Sequence, residues 1–175
     1  MIAGRKIGLM QRSTLQNAIS APKVGGIVRL TGFILKTTFL IELMGAAILS
    51  VVFCRDFGIR GLWLAVFHSV SAFCNAGFDL MGTVSPFSSL TVYSPQPLIN
   101  AVIIFLIITG GIGFLVWEDI KTNKHHIKKY RMQTKVVLSS TLFLIIVPAV
   151  YFYFAEFYEL SGAERIMTSL FQAVT

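Results

Sequence analysis

Three runs of about twenty residues, roughly 31–53, 98–117 and 136–157, are almost purely apolar, and each has the length a bilayer core requires of a spanning helix. Nothing else in the sequence narrows the fold so far. A helix that folds in water shows an apolar stripe and a polar face, whereas these runs are apolar all round. Composition agrees: 55% of the 175 residues are hydrophobic and only 13% are charged, with a mean hydropathy of +0.74. Soluble domains rarely combine such values. The expected class is an all-α polytopic membrane protein.

In a soluble chain the net charge of +7 and the pI near 9.7 would suggest a nucleic-acid partner. Here the charge is placed rather than spread. Arg5, Lys6, Arg12, Lys23 and Arg29 precede the first apolar run, and Lys121, Lys124, Lys128, Lys129, Arg131 and Lys135 lie between the second and third. Basic residues collect on cytoplasmic loops, which puts both clusters inside the cell. No aromatic residue interleaves the first cluster and only Tyr130 the second, so nucleic acid bound by base stacking is not expected. About thirty mostly polar residues precede the first run, too many for the charged head of a secretory signal. Within them, residues 12–19 have helical character, broken by Pro22 and Gly25-Gly26. Cys54 and Cys74 form neither a disulfide framework nor a metal-ligand pattern.

The stretch 62–73 is apolar but only about a dozen residues long, too short to cross and suited to a re-entrant helix. A polar turn at Cys54-Arg55-Asp56-Phe57-Gly58 precedes it. Cys74-Asn75-Ala76-Gly77-Phe78-Asp79 comes next, then a Pro-containing segment, 82–97, without Lys or Arg, as suits an outer loop. If the short helix crossed completely, the two basic clusters would fall on opposite faces. Re-entry keeps them together. The order then restarts: the third run, interrupted by Pro148, leads through a turn with Glu159 and Gly162 into a second short helix, 164–175. Offset by about a hundred residues, Phe67 falls on Leu170 and Val70 on Ala173, a repeat of hydropathy and order rather than identity. The last unit stops before its loop would return, so a fragment of a longer protein is expected.

Backbone at membrane depth must be satisfied internally or line a wet cavity. A strand there can aim carbonyl oxygens inward, where they replace the hydration shell of a monovalent cation. Aligned carbonyls need small residues and a glycine able to adopt left-handed backbone, and Ala76-Gly77 supplies both. Phe78 is placed to pack outward as a strut. Asp79 either draws cations to the outer mouth or caps a helix. The short helix points the negative end of its dipole at the same cavity.

At these residues a family resemblance appears. Phe67-His68-Ser69-Val70-Ser71-Ala72-Phe73-Cys74-Asn75-Ala76-Gly77-Phe78-Asp79-Leu80 resembles the second pore loop of the Trk/Ktr/HKT potassium transporters, closest to the membrane subunit of bacterial Ktr systems. Gly4-Arg5-Lys6, Ile41-Glu42, Gly110-Gly111-Ile112-Gly113-Phe114 and the closing Ser169-Leu170-Phe171-Gln172-Ala173-Val174-Thr175 are similar as well. The resemblance implies four span–pore loop–span units around one pore. This chain would hold a cytoplasmic segment (1–30), the complete second unit (31–117), a basic cytoplasmic loop (118–135) and the first half of the third unit (136–175). It further implies Asn75, Ala76, Gly77 and Phe78 as filter residues ligating through their carbonyls. It also implies a homodimer in the cell membrane, with a cytosolic nucleotide-binding regulatory subunit of the KtrA/TrkA type.

Other features read more plainly. Glu42 inside a span is a functional candidate by default, or it bonds a neighbouring helix. Lys36 snorkels to the surface. Gly110-Gly111-Ile112-Gly113 lacks the Lys-Ser/Thr of a phosphate loop and suits close helix packing beside the pore. His68 has no carboxylate or second His facing it at helical spacing and reads as packing. His125-His126 belong to a solvated loop that could touch the regulatory partner. With no nucleophile, metal cluster or phosphate loop, neither an enzyme nor a cofactor is expected. Potassium uptake driven by the membrane potential is expected, its rivals being a sodium-permeable relative and a non-conducting structural subunit.

Overall fold

The computed structural model describes residues 27–83, 86, 88–124, 126–160 and 162–175. The expected helix at 12–19, its Pro22 and glycine break, the basic residues Arg5, Lys6, Arg12 and Lys23, and His125 lie outside them. Among the described residues the chain is helical, with no strand. The long helices are α1 (Ile27–Phe57), α3 (Pro97–Ile112) and α5 (Met132–Tyr151). Between and after them come the shorter α2 (Arg60–Phe73), α4 (Phe114–Asn123) and α6 (Gly162–Val174).

Helix α1 has 31 residues, and at 1.5 Å per residue it reaches about 46 Å, more than a bilayer core needs. It overruns the expected polar turn: Cys54 to Phe57 are helical, and the chain turns only at Gly58, whose φ is +58°. Two forces favour the extra turn. Arg55 sits where a cation suits the helix dipole, and Gly58 supplies the left-handed residue that commonly ends a helix. Asp56, on that turn, accepts a hydrogen bond from Tyr93 Oη at 2.9 Å. Burial of Tyr93 comes first, and the Asp56 carboxylate second, in pushing this phenol above its ordinary value, so it remains a donor.

Helix α2, close to the expected short helix, folds back on α1 at a distance only glycine allows. A Cβ on Gly61 would stand 2.1 Å from Phe53 O. A Cβ on Gly45 would stand 2.6 Å from Ser69 Oγ and 2.8 Å from a Leu106 methyl, so α1, α2 and α3 meet at this small residue. Around it lies the core, built on Leu49, Phe53, Ala65, Ile99 and Leu106. The loop before α3 is pinned by Asn100, whose Nδ2 donates to Ser94 O at 2.8 Å. Pro97 opens α3 where its missing N–H has no intrahelical partner to lose.

The apolar run predicts a second span continuing straight to residue 117. Instead α3 ends at Ile112, Gly113 takes φ +89°, and α4 leaves at 92°. The hydropathy continues through the bend while the direction does not. Trp117 staples the corner by donating its indole N–H to Thr109 O at 3.0 Å, a carbonyl that the end of α3 would leave unpaired.

Asp119, buried on α4, ties the bend to the start of α5. Its Oδ2 accepts Arg131 N–H at 2.8 Å, its Oδ1 accepts Asn123 Nδ2 at 2.7 Å, and Thr134 donates a third bond. Arg131 is the N-cap residue of α5, so the carboxylate satisfies the helix from outside. Burial alone would raise this carboxyl; the hydrogen bonds and the Arg131 charge outweigh it and hold it below its ordinary value of 3.8. The stabilisation is therefore complete above the unfolded value and disappears as pH falls through the lower folded one. Asp119→Ala should cost about 2–4 kcal/mol, since it orphans buried donors. A drop of several degrees in the thermal midpoint of the detergent-solubilised protein is expected at neutral pH; an unchanged midpoint would refute the role.

Helix α5 contains Pro148, which removes one backbone bond, and gives way to a π-helical turn, Phe152–Glu156. Its apolar side chains, among them Leu142, Phe143, Leu144 and Val147, stay exposed, as suits lipid or further protein. Arg165 joins α6 to the end of this helix, its guanidinium 4.1 Å from the Tyr153 ring centre and its Nε donating to Tyr153 O at 2.8 Å. Among the described residues a long helix followed by a shorter one that packs back against it thus occurs in α1–α2 and again in α5–α6.

A candidate cation pore loop

The loop begins with the way α2 stops. Asn75 N–H bonds Ala72 O at 3.1 Å and Ala76 N–H bonds Ser71 O at 2.9 Å. These paired bonds, with a left-handed residue between helix and exit, form a Schellman cap, and Asn75 is that residue at φ +51°. Asparagine tolerates this conformation better than most residues other than glycine. The left-handed backbone expected only at Gly77, where φ is +71°, thus occurs twice within three residues. Two such turns reverse the chain directly below α2.

Residues 74–79 are all exposed, while Ser71, Ala72 and Phe73 just before them are buried. The exposed stretch borders a cavity of about 490 Å³. Asn75, Gly77, Phe78 and Asp79 line it from the loop, Asn100 and Ile107 from α3, and Thr168, Phe171 and Gln172 from α6. The loop after α2 and the short helix α6 therefore share one open space. Ser94 Oγ and Thr168 Oγ1, 3.3 Å apart, join the loop before α3 to α6 at its rim.

Asp79 stands at this cavity and also accepts Met81 N–H at 2.9 Å, capping the 3-10 turn Met81–Thr83. Of the two readings offered by the sequence, this hydrogen bond is the cap. The Phe78 ring, expected to brace the loop by packing, is 71% exposed and borders the cavity. Its carbonyl is drawn the other way, accepting Ser71 Oγ–H at 2.7 Å.

Gly110 bears on the loop from behind. A Cβ there would lie 1.8 Å from Phe73 O and 3.3 Å from Asn75 Nδ2, so α3 touches the capped end of α2 backbone to backbone. Within the glycine string, Gly110 thus serves close packing beside the loop, while Gly113 makes the corner. Glu42 contributes its backbone, its carbonyl accepting Ser69 Oγ–H at 2.7 Å. Both cysteines are free, and no cluster that could hold a metal ion occurs among the described residues. Sequence reasoning passed over Ser69 and Ser71, although their short hydroxyls on an apolar helix too short to cross a bilayer were the available signal.

Residues 4–175 match the TrkH family, described as cation transport proteins. The chain belongs to the TrkH family. Among its relatives, a potassium/sodium uptake protein, NtpJ, of Enterococcus hirae is 38% identical over 99% of this chain and 39% of its own length. Ktr system potassium uptake protein B of Bacillus subtilis is 37% identical, covering all of this chain and 40% of the relative. The protein of the same name from Vibrio alginolyticus is 30% identical over 87% of this chain and 33% of its own length. The chain spans about two fifths of the length of the first two relatives. TrkH membership fits the all-helical order, the repeated long and short helices, and the apolar surface of α5. TrkH-family proteins are cation transport proteins.

Proposed function

We propose that this chain supplies the second pore loop, and the start of the third, of a potassium uptake transporter. The observation carrying this reading is the capped short helix α2, whose exposed exit segment, residues 75–78, contains two left-handed residues and borders a cavity shared with α6. Such a strand offers backbone oxygens to a dehydrated monovalent cation without any charged ligand. Asp79 at the rim adds attraction for cations. The driving force is the membrane potential, roughly 2.3 kcal/mol per charge per 100 mV. The relatives named for potassium uptake support the choice of ion.

In this reading the basic segment at 118–135 faces the cytoplasm and meets a nucleotide-binding regulatory subunit, and the protein works as a homodimer surrounded by lipid in the cell membrane. No cofactor is required, potassium being cargo. A sodium-permeable pore is the second reading, favoured by the Enterococcus relative, whose name includes both ions. Expression of the whole four-unit transporter containing this chain, in cells lacking their own potassium uptake, separates the two. Growth on limiting potassium, with uptake that sodium does not inhibit, is expected. Equal uptake of both ions would favour the second reading, and no uptake of either would refute both.

A further inference from the structure

The strand beyond Gly77 is bonded to α2 at two points. Ser71 and His68 lie three residues apart on the helix, and therefore on one face. Ser71 Oγ donates to Phe78 O at 2.7 Å. His68 Nδ1 lies 2.7 Å from Leu64 O, and because a carbonyl only accepts, that nitrogen carries the proton. Nε2 is then the acceptor, and Leu80 N–H donates to it at 3.4 Å. Both ring nitrogens are committed, and the ring is 2% exposed. Phe53 meets it edge-on at 5.5 Å and Phe67 at 5.8 Å, which fixes the plane of the imidazole. Tyr93 packs against Phe53 at 5.3 Å and is itself bonded to Asp56. The clamp thus rests on a rigid support reaching the end of α1.

We propose that His68 and Ser71 are the positioning residues of the cation filter, and that the Phe78 carbonyl is its anchor and not an ion ligand. With that oxygen turned to Ser71, the run of cation-facing carbonyls ends at Gly77. The inference rests on the reading of residues 75–78 as a filter strand and narrows it. A loop held at Phe78 and Leu80 cannot let the Gly77 carbonyl swing inward to follow a smaller ion. The clamp therefore sets the spacing that favours potassium over sodium.

The test measures potassium and sodium uptake in cells expressing the whole four-unit transporter with each substitution in this chain, normalised to the amount of protein in the membrane. Ser71→Ala and His68→Leu should each lower the potassium-to-sodium ratio by about three- to ten-fold, the scale of one lost hydrogen bond, more than they lower maximal potassium uptake. Ser71→Thr and His68→Gln, which keep a hydroxyl and an acceptor, should hold the ratio near its original value. An unchanged ratio in Ser71→Ala and His68→Leu would overturn the proposal. So would an equal fall in the conservative pair, because packing volume rather than hydrogen bonding would then be responsible. Where one deletion does not reach the membrane, the other with its conservative partner decides. If the unaltered protein carries neither ion, the filter reading itself fails, an outcome distinct from a transporting protein whose selectivity ignores the clamp.

Discussion

Gly110→Ala should abolish uptake, while Gly111→Ala, one residue along the same helix, should leave it nearly intact. A methyl on Gly110 would stand 1.8 Å from Phe73 O and 2.8 Å from Phe73 C. A carbon and a carbonyl oxygen approach no closer than about 3.3 Å, so the backbones must part by about 1.5 Å. Neither side can yield by a rotamer change, because the obstructing atoms are backbone. Phe73 is the last residue of α2, and the Schellman cap that positions Asn75 begins there. Separation at this point displaces the exit strand as a body, which a densely packed interior resists. The added Cβ of Gly111 would meet only Asn75 Nδ2, at 3.7 Å, an ordinary contact. Potassium uptake should fall to background in the first variant, on the order of 100-fold, with the protein still detected in the membrane. The second should retain at least half of the original rate. Equal activity in the two variants would show that the close approach of α3 to α2 has no bearing on the pore.

The pair also marks how far the sequence could be read. Hydropathy and length place the long helices, because a span is recognised by the solvent it requires, and solvent preference is written residue by residue. The short helix and its glycine loop are legible for the same reason: a dozen apolar residues cannot cross, and the chain beyond them must turn. The 92° corner at Gly113 is not legible, since Phe114, Leu115 and Val116 continue the apolar run whichever way the chain points. Nor is the extension of α1 through Phe57, part of whose support comes from Tyr93, 37 residues away from Asp56. At the loop, glycine announces one left-handed residue, whereas Asn75 takes the other because bonds from two exit amides close the cap around it. The Ser71 and His68 contacts depend on that reversal and become visible only once the chain has folded back. Tertiary pairing, rather than propensity, decides each of these.

Gly77→Ser should reduce the preference for potassium over sodium by about ten-fold without removing uptake. Gly77 has φ +71°, and a Cβ built there meets nothing within 4 Å. The effect is therefore one of backbone strain and not of collision. A non-glycine residue in left-handed backbone costs about 1–2 kcal/mol, and relief comes by rotating φ toward negative values. That rotation carries the Gly77 carbonyl away from its neighbours, while Phe78 and Leu80 remain tied to α2. In the proposed filter the strand could not slide to restore alignment, so one oxygen of the ladder would be mis-aimed and the cation incompletely coordinated. Sodium, whose tighter hydration shell calls for a closer set of ligands, then loses its disadvantage, and a penalty near 1.4 kcal/mol corresponds to a ten-fold change in preference. Gly77→Ala should behave alike, because the strain comes from the Cβ and not from the hydroxyl. Competition between the two ions in uptake assays measures the ratio directly. A serine variant as selective as the original would mean that residue 77 is only a turn and that the conducting oxygens lie elsewhere.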